Sequence, residues 1–123
     1  MLAFTPLELA ALNSIFEETP ELAAALRSQL AVATVTERTN SGGGFFTTIA
    51  VPQSAARVDS PGVLGEETGA WVAGLEHGLG FVLFMNDGRL DTLEGYAYGE
   101  STSALSLDDL APDVFRSPVH KIG

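Results

Sequence analysis

The chain has 123 residues, 46% of them hydrophobic and 18% charged, and its 16 acidic against 6 basic side chains give a formal charge of −10. That length suits a single domain (1–123), the apolar fraction excludes wholesale disorder, and so acidic a surface repels phosphate backbones and anionic bilayers. The absence of cysteine removes disulfides, thiolate nucleophiles and cysteine zinc sites together.

Thr5-Pro6-Leu7-Glu8 reads as a capping box, with threonine at N-cap, proline at N1 and glutamate at N3. Phe4 and Leu9 are placed to form a hydrophobic staple across that start. Leu9, Leu12 and Phe16 follow at helical spacing with Ile15 beside them, so a first helix is expected over about 5–18. Thr19-Pro20-Glu21 repeats the start signal at once. Leu22, Ala25, Leu26 and Leu30 then predict a second helix over about 20–29.

Ala31 to Arg38 alternates and is rich in β-branched residues, which predicts a strand. Asn40-Ser41-Gly42-Gly43-Gly44 breaks it, and Phe45 to Val51 resumes as the second arm of a hairpin. Pro52 to Gly69 has no period and reads as an exposed excursion. Ala70 to Glu76 is a further strand, ending at His77-Gly78. Leu79 to Met85 is almost continuously apolar, as befits a central strand covered on both faces. Asp87-Gly88 is a strong type I′ hairpin signal, and Arg89 to Tyr98 forms the returning strand. Ser106 to Leu110 is compatible with one helical turn, and the tail after Pro112 is expected to be irregular. The pattern is α+β: an N-terminal helix pair packed on an antiparallel sheet of about five strands spanning about 31–98. The helices cover one sheet face, and the apolar and aromatic surface of the other suggests a homodimer.

A two-residue loop at Asp87-Gly88 sets Phe81 opposite Glu94, Leu79 opposite Tyr96 and His77 opposite Tyr98. Glu94 then shares a face with Phe81 and Leu83, an apolar setting for a carboxylate. A bulge near Asp91 or Thr92 changes that register, and Leu90 and Leu93 are out of phase in the way a bulge makes them. Two readings of Glu94 follow. In one it is a general acid or base in a polar site with Arg38, His77, Arg89, Tyr96 and Tyr98. In the other it is a structural carboxylate satisfied by Arg38, Arg89 or backbone N–H groups. Glu76 and His77, with Glu94 and His120, supply nitrogen and oxygen ligand types but no close His pair, so no metal or other cofactor is assigned.

Gly42-Gly43-Gly44 is followed by a strand rather than by a helix N-terminus or a Lys-Ser/Thr, so it is a turn and not a phosphate loop. No Gly-x-Ser-x-Gly is present, and no catalytic residue is assigned. Trp71, Tyr96 and Tyr98 are of the type that lines either a core or a groove.

Two stretches, Arg38-Thr39-Asn40-Ser41-Gly42-Gly43-Gly44-Phe45-Phe46-Thr47 and Asp87-Gly88-Arg89-Leu90-Asp91-Thr92-Leu93-Glu94-Gly95-Tyr96, resemble segments that occur together in small bacterial proteins of no established activity. The resemblance implies bacterial origin, marks Arg38, Phe45, Arg89, Glu94 and Tyr96, and carries no chemistry with it. No apolar run approaches the roughly 20 residues of a membrane helix, and the first residues lack a basic signal-peptide start, so a cytoplasmic location is expected. The expected function is a non-enzymatic protein-interaction module that self-associates or meets a basic partner, an immunity-like or antitoxin-like inhibitor being one form. The alternative is a small-molecule or metal-binding domain, hydrolytic in its sharpest form, centred on Glu94 and His77.

Overall fold

The computed structural model describes residues 2–116 and shows two helices followed by an antiparallel sheet. Helix α1 (Pro6–Glu18) begins at the expected capping box: the Thr5 hydroxyl accepts from the Glu8 amide, and the Glu8 carboxylate accepts from the Thr5 amide. The staple is not formed as expected. Leu9 faces solvent, while Phe4 packs against the core. The buried stripe of α1 is Leu7, Glu8, Ala11, Leu12, Ile15 and Phe16. Helix α2 (Pro20–Val32) outlasts its expected end, taking Ala31 and Val32 from the predicted first strand, and buries Ala23, Leu26 and Gln29.

The sheet has seven strands: β1 (Thr34–Asn40), β2 (Gly44–Ala50), β3 (Val63–Leu64), β4 (Thr68–Val72), β5 (Leu75–Asn86), β6 (Arg89–Ala97) and β7 (Val114–Arg116). Their order is β1-β2-β6-β5-β4-β7, and β3 pairs with β5 beyond the end of β4. The hairpin β5–β6 therefore lies at the centre. Its turn has φ of 52° at Asp87 and 73° at Gly88, the left-handed pair that a type I′ turn demands.

Two strands were not anticipated. β3 and β7 are two and three residues long, too short to carry a period of their own. The excursion that contains β3 is also less exposed than its composition suggests, because Val58 and Leu64 are buried in the core. Its backbone is fastened to the central turn, with the Val58 amide donating to the Gly88 carbonyl at 2.8 Å. The tail likewise returns to the fold, and β7 pairs with β4 where an irregular end was expected.

The core lies between the helix pair and the inner sheet face. Phe45, Ile49, Leu79, Phe81, Leu83, Leu90 and Leu93 meet the apolar stripe of α1 and the Ala23 and Leu26 side of α2. Phe45 and Phe81 pack edge to face at 6.2 Å.

The glycine turn between β1 and β2 is clamped by the tail. The Thr102 amide donates to the Gly42 carbonyl, and the buried Thr102 hydroxyl bonds Asn40 and the Gly44 carbonyl. At Gly44 a Cβ would stand 2.0 Å from the Gly95 carbonyl oxygen, so β2 and β6 approach in a way only glycine permits, whereas a Cβ on Gly43 meets nothing within 4 Å. Gly44→Ala is accordingly expected to cost about 2 kcal/mol or more and Gly43→Ala to stay within about 0.5 kcal/mol, read from denaturant midpoints. Equal midpoints for the two variants would refute the close approach.

Candidate functional site

The register of the central hairpin decides where the sequence-selected residues go. Asn86 faces Arg89 and Met85 faces Leu90, but Phe84 then faces Thr92, leaving Asp91 as an extra residue. This is the bulge signalled by the phase of Leu90 and Leu93. Beyond it every pairing slips by one, so Phe81 opposes Gly95 and Glu94 opposes Val82. A one-residue slip sends a side chain to the other face. Glu94 therefore leaves the neighbourhood of Phe81 and lies half-buried on the outer face, beside Val82 on β5 and Phe46 on β2.

The carboxylate buried in the core is another one. Glu8 is 1% exposed on the inner face of α1. Arg38 grips it with both ends of its guanidinium, Nε to Oε2 at 2.7 Å and NH2 to Oε1 at 2.6 Å. The Thr47 hydroxyl donates to the same carboxylate, as does the Thr5 amide at 2.8 Å. Hydrogen bonding to Glu8 is the main reason the Arg38 pKa is raised, against an opposing effect of burial. Arg38 also donates to the Ala3 carbonyl at 2.8 Å, so nothing of it is left for Glu94. Arg89 is engaged elsewhere too: it reaches Asp87 at 3.4 Å and the carbonyls of Gln53 and Ala55, which pins the excursion.

His77 lies within β5 rather than at a strand end, with its side chain exposed and 4.0 Å from Glu76. The amides of Glu76 and His77 both donate to Glu100, and these bonds hold the Glu100 carboxyl below the usual range. His120 lies outside the described residues. Among those described, no three His, Asp or Glu side chains gather as metal ligands. No helix among them is long and apolar enough to cross a membrane. A cavity of about 470 Å³ lies between α2 and the segment Pro52–Ala56, lined mainly by small side chains, and none of the six sequence-selected residues borders it. Gln29 stands on its wall with its amide already bonded to Ala56, Gly88 and Leu90.

What the structure does bring together is the outer sheet face. One row across the strands runs Phe46, Glu94, Val82, and the next runs Gly44, Tyr96, Gly80, Gly69, Phe115. Tyr96 and Tyr98 meet edge to face at 5.5 Å, and Trp71 stacks on Phe115 at 4.7 Å. Phe46, Trp71 and Tyr98 are 39%, 51% and 53% exposed. Sequence reasoning singled out Trp71, Tyr96 and Tyr98 but missed Phe46 and Phe115 as their companions. Strict alternation around buried Phe45 could have placed Phe46 there; Phe115 sits in a strand too short to read.

All five arginines of the chain are held by its own carboxylates: Arg38 by Glu8, Arg27 and Arg116 by Glu17, and Arg57 and Arg89 by Asp87. The outer face thus presents rings and a carboxylate, with no described cation of its own. No family model, curated protein or solved structure matches the chain.

Two outcomes follow from this geometry. Arg38→Met strands the Glu8 carboxylate in the core and is expected to cost about 3–5 kcal/mol. Adding Glu8→Gln should return part of that loss, giving a coupling of about 1–3 kcal/mol in a double-mutant cycle followed by chemical denaturation. Strict additivity would show that the pair does not act as one.

The Tyr96 phenol is pushed up by burial first, then by its neighbour Tyr98 and by Glu94 and Glu66. A raised folded pKa means that its contribution is whole below the unfolded value near 10.0 and is lost as pH rises through the folded value. Phenolate absorbance should therefore show a late step that Tyr96→Phe abolishes; a late step persisting in that variant would assign it wrongly.

Proposed function

We propose that this chain is a non-enzymatic protein-interaction module, and that it docks a basic partner on the outer face of its sheet. The observation that carries the reading is the composition of that face, which carries three exposed aromatic residues and the Glu94 carboxylate beside one of them, Phe46, while every arginine in the chain is already engaged. Apolar patches of this kind on small monomers mark contact surfaces, and aromatic residues serve as their anchors. The surplus of negative charge steers a cationic partner toward it and repels nucleic acid. An inhibitor that masks a basic effector, immunity-like or antitoxin-like, has these properties. The motif resemblance supports a bacterial origin, and a cytoplasmic location goes with this reading.

Self-association is the second reading, and β1 supports it. This strand lies at the sheet edge, and outside its pairing with β2 it forms one isolated bridge, from Val35 to Leu2. A second copy added there would continue the sheet. Face-to-face pairing is less favourable, because it brings like charges and two Glu94 residues together. A small-molecule or metal site centred on Glu94 and His77 has no comparable observation behind it.

Phe46→Ser, Trp71→Ser and Tyr98→Ser combined test the docking surface. These side chains are already partly in water, so the triple variant is expected to fold, with native far-ultraviolet circular dichroism and a cooperative melt. It should also lose, by tenfold or more in recovered amount, a basic protein that the wild-type chain captures from native extract. Recovery of the same basic proteins by both forms would overturn the reading. A light-scattering mass of two chains, returning to one when Pro replaces Thr36 or Thr39 on β1, would transfer it to the edge-strand dimer.

A further inference from the structure

Resting on that reading, we infer that Tyr96, Tyr98 and Glu94 form a subsite for a guanidinium or ammonium group, so that the basic partner enters by an arginine or lysine side chain laid against the two rings. Three independent features point there.

The first is Gly80. It sits inside the long central strand β5, where glycine weakens a strand by leaving nothing to pack. A Cβ on it would stand 2.4 Å from the Tyr96 ring and 2.6 Å from the Tyr98 hydroxyl. Both phenols therefore fold onto the backbone through a gap that only a missing side chain provides. The pair meets edge to face, and Tyr98 is 53% exposed, so the edge-to-face stack ends in a ring open to solvent.

The second is Glu94. It is one register step from Tyr96 on the same face, half-buried between Phe46 and Val82, and among the described residues it has neither an ion-pair nor a hydrogen-bond partner. A carboxylate in apolar company gains from a cation brought to it, more than it would in open water. Burial of the Tyr96 phenol, with Tyr98, Glu94 and Glu66 close enough to disfavour its ionisation, keeps that ring neutral for such a role.

The third is the absence of an internal competitor. Each arginine is committed to a carboxylate elsewhere, so no described cationic side chain of the chain itself occupies the rings. Ring faces attract cations through their quadrupole, and a neighbouring carboxylate fixes the approach.

The test is an NMR titration of the whole isotope-labelled chain with methylguanidinium chloride, with tetramethylammonium chloride, and with sodium chloride at matched ionic strength. Saturable shifts are expected at Glu94, Tyr96 and Tyr98 with the two organic cations and not with sodium. Tyr98→Phe keeps a ring and should bind within about twofold of wild type, whereas Tyr98→Leu keeps apolar area but lacks the quadrupole and should bind about fivefold more weakly or worse. Glu94→Gln should weaken binding about three- to tenfold. Linear shifts equal to those of sodium chloride, or equal binding by Tyr98→Leu and Tyr98→Phe, would overturn the inference. If the cations fail to bind here while the Phe46, Trp71 and Tyr98 triple variant still loses its basic protein, the docking face stands without this subsite. If the triple variant loses nothing, the docking reading falls, and saturable cation binding would then survive as a property of the rings alone.

Discussion

The fold turns on a carboxylate taken out of water. Glu8 lies in the core, and a charge there is tolerable only when its oxygens are taken up by donors. Arg38 supplies two, the Thr5 amide and Thr47 hydroxyl supply the rest, and the donors come from the helix start, from β1 and from β2. One side chain thus serves as the cap of α1 and as the joint between helix and sheet. Sliding α1 along the sheet by even a single turn would leave both a buried carboxylate and a buried guanidinium without partners. At the other end of the helix Glu18 takes the Thr68 hydroxyl and the Glu67 amide, so α1 is fastened to β1 and β2 at one end and to the start of β4 at the other. Apolar packing supplies the driving force for collapse, but it is non-directional; these two carboxylates select the orientation in which collapse ends.

The two faces of the sheet are finished differently as a result. The inner face has its charges paired and its rings enclosed. The outer face keeps Phe46, Trp71 and Tyr98 in contact with water and Glu94 without a described partner. Because the arginines are spent on internal ion pairs, the surface potential is set almost wholly by carboxylates. An acidic surface of this kind keeps a chain with exposed aromatic residues soluble while leaving those residues available.

Much of this was legible in the sequence wherever a local rule sufficed. The capping box at Thr5, the tight corner at Thr19-Pro20, the left-handed turn at Asp87-Gly88 and the strand that resumes at Phe45 after the glycine turn each depend on residues a few positions apart. The site was harder, since it depends on a parity. One extra residue at Asp91 reverses the facing of everything after it on β6, and Glu94 went with it. The true buried carboxylate was overlooked because an N3 glutamate is ordinarily a surface residue. Yet Glu8 stands three, four and seven positions before Ala11, Leu12 and Ile15, on the very stripe that had to face the core. Its partner Arg38, by contrast, is set by the path of the sheet. β3 and β7 gave no signal for a different reason: strands so short are shaped by the neighbour that receives them.

The order of the strands has a consequence for how the chain comes together. β2 finds its inner neighbour β6 only after the excursion, β3, β4 and β5 have been laid down. During synthesis the first hairpin emerges early and must wait with one edge of β2 unpaired and the apolar side chains of Phe45 and Ile49 uncovered, apart from the helices already made. β5 and β6, in contrast, can close around Asp87-Gly88 as soon as they appear, since a tight turn asks for little loop entropy. The waiting hairpin is the vulnerable species on the ribosome, open to pairing with another nascent chain. Closure comes when the late hairpin inserts beside it, and the close approach of Gly44 to Gly95 makes that last seam a tight one.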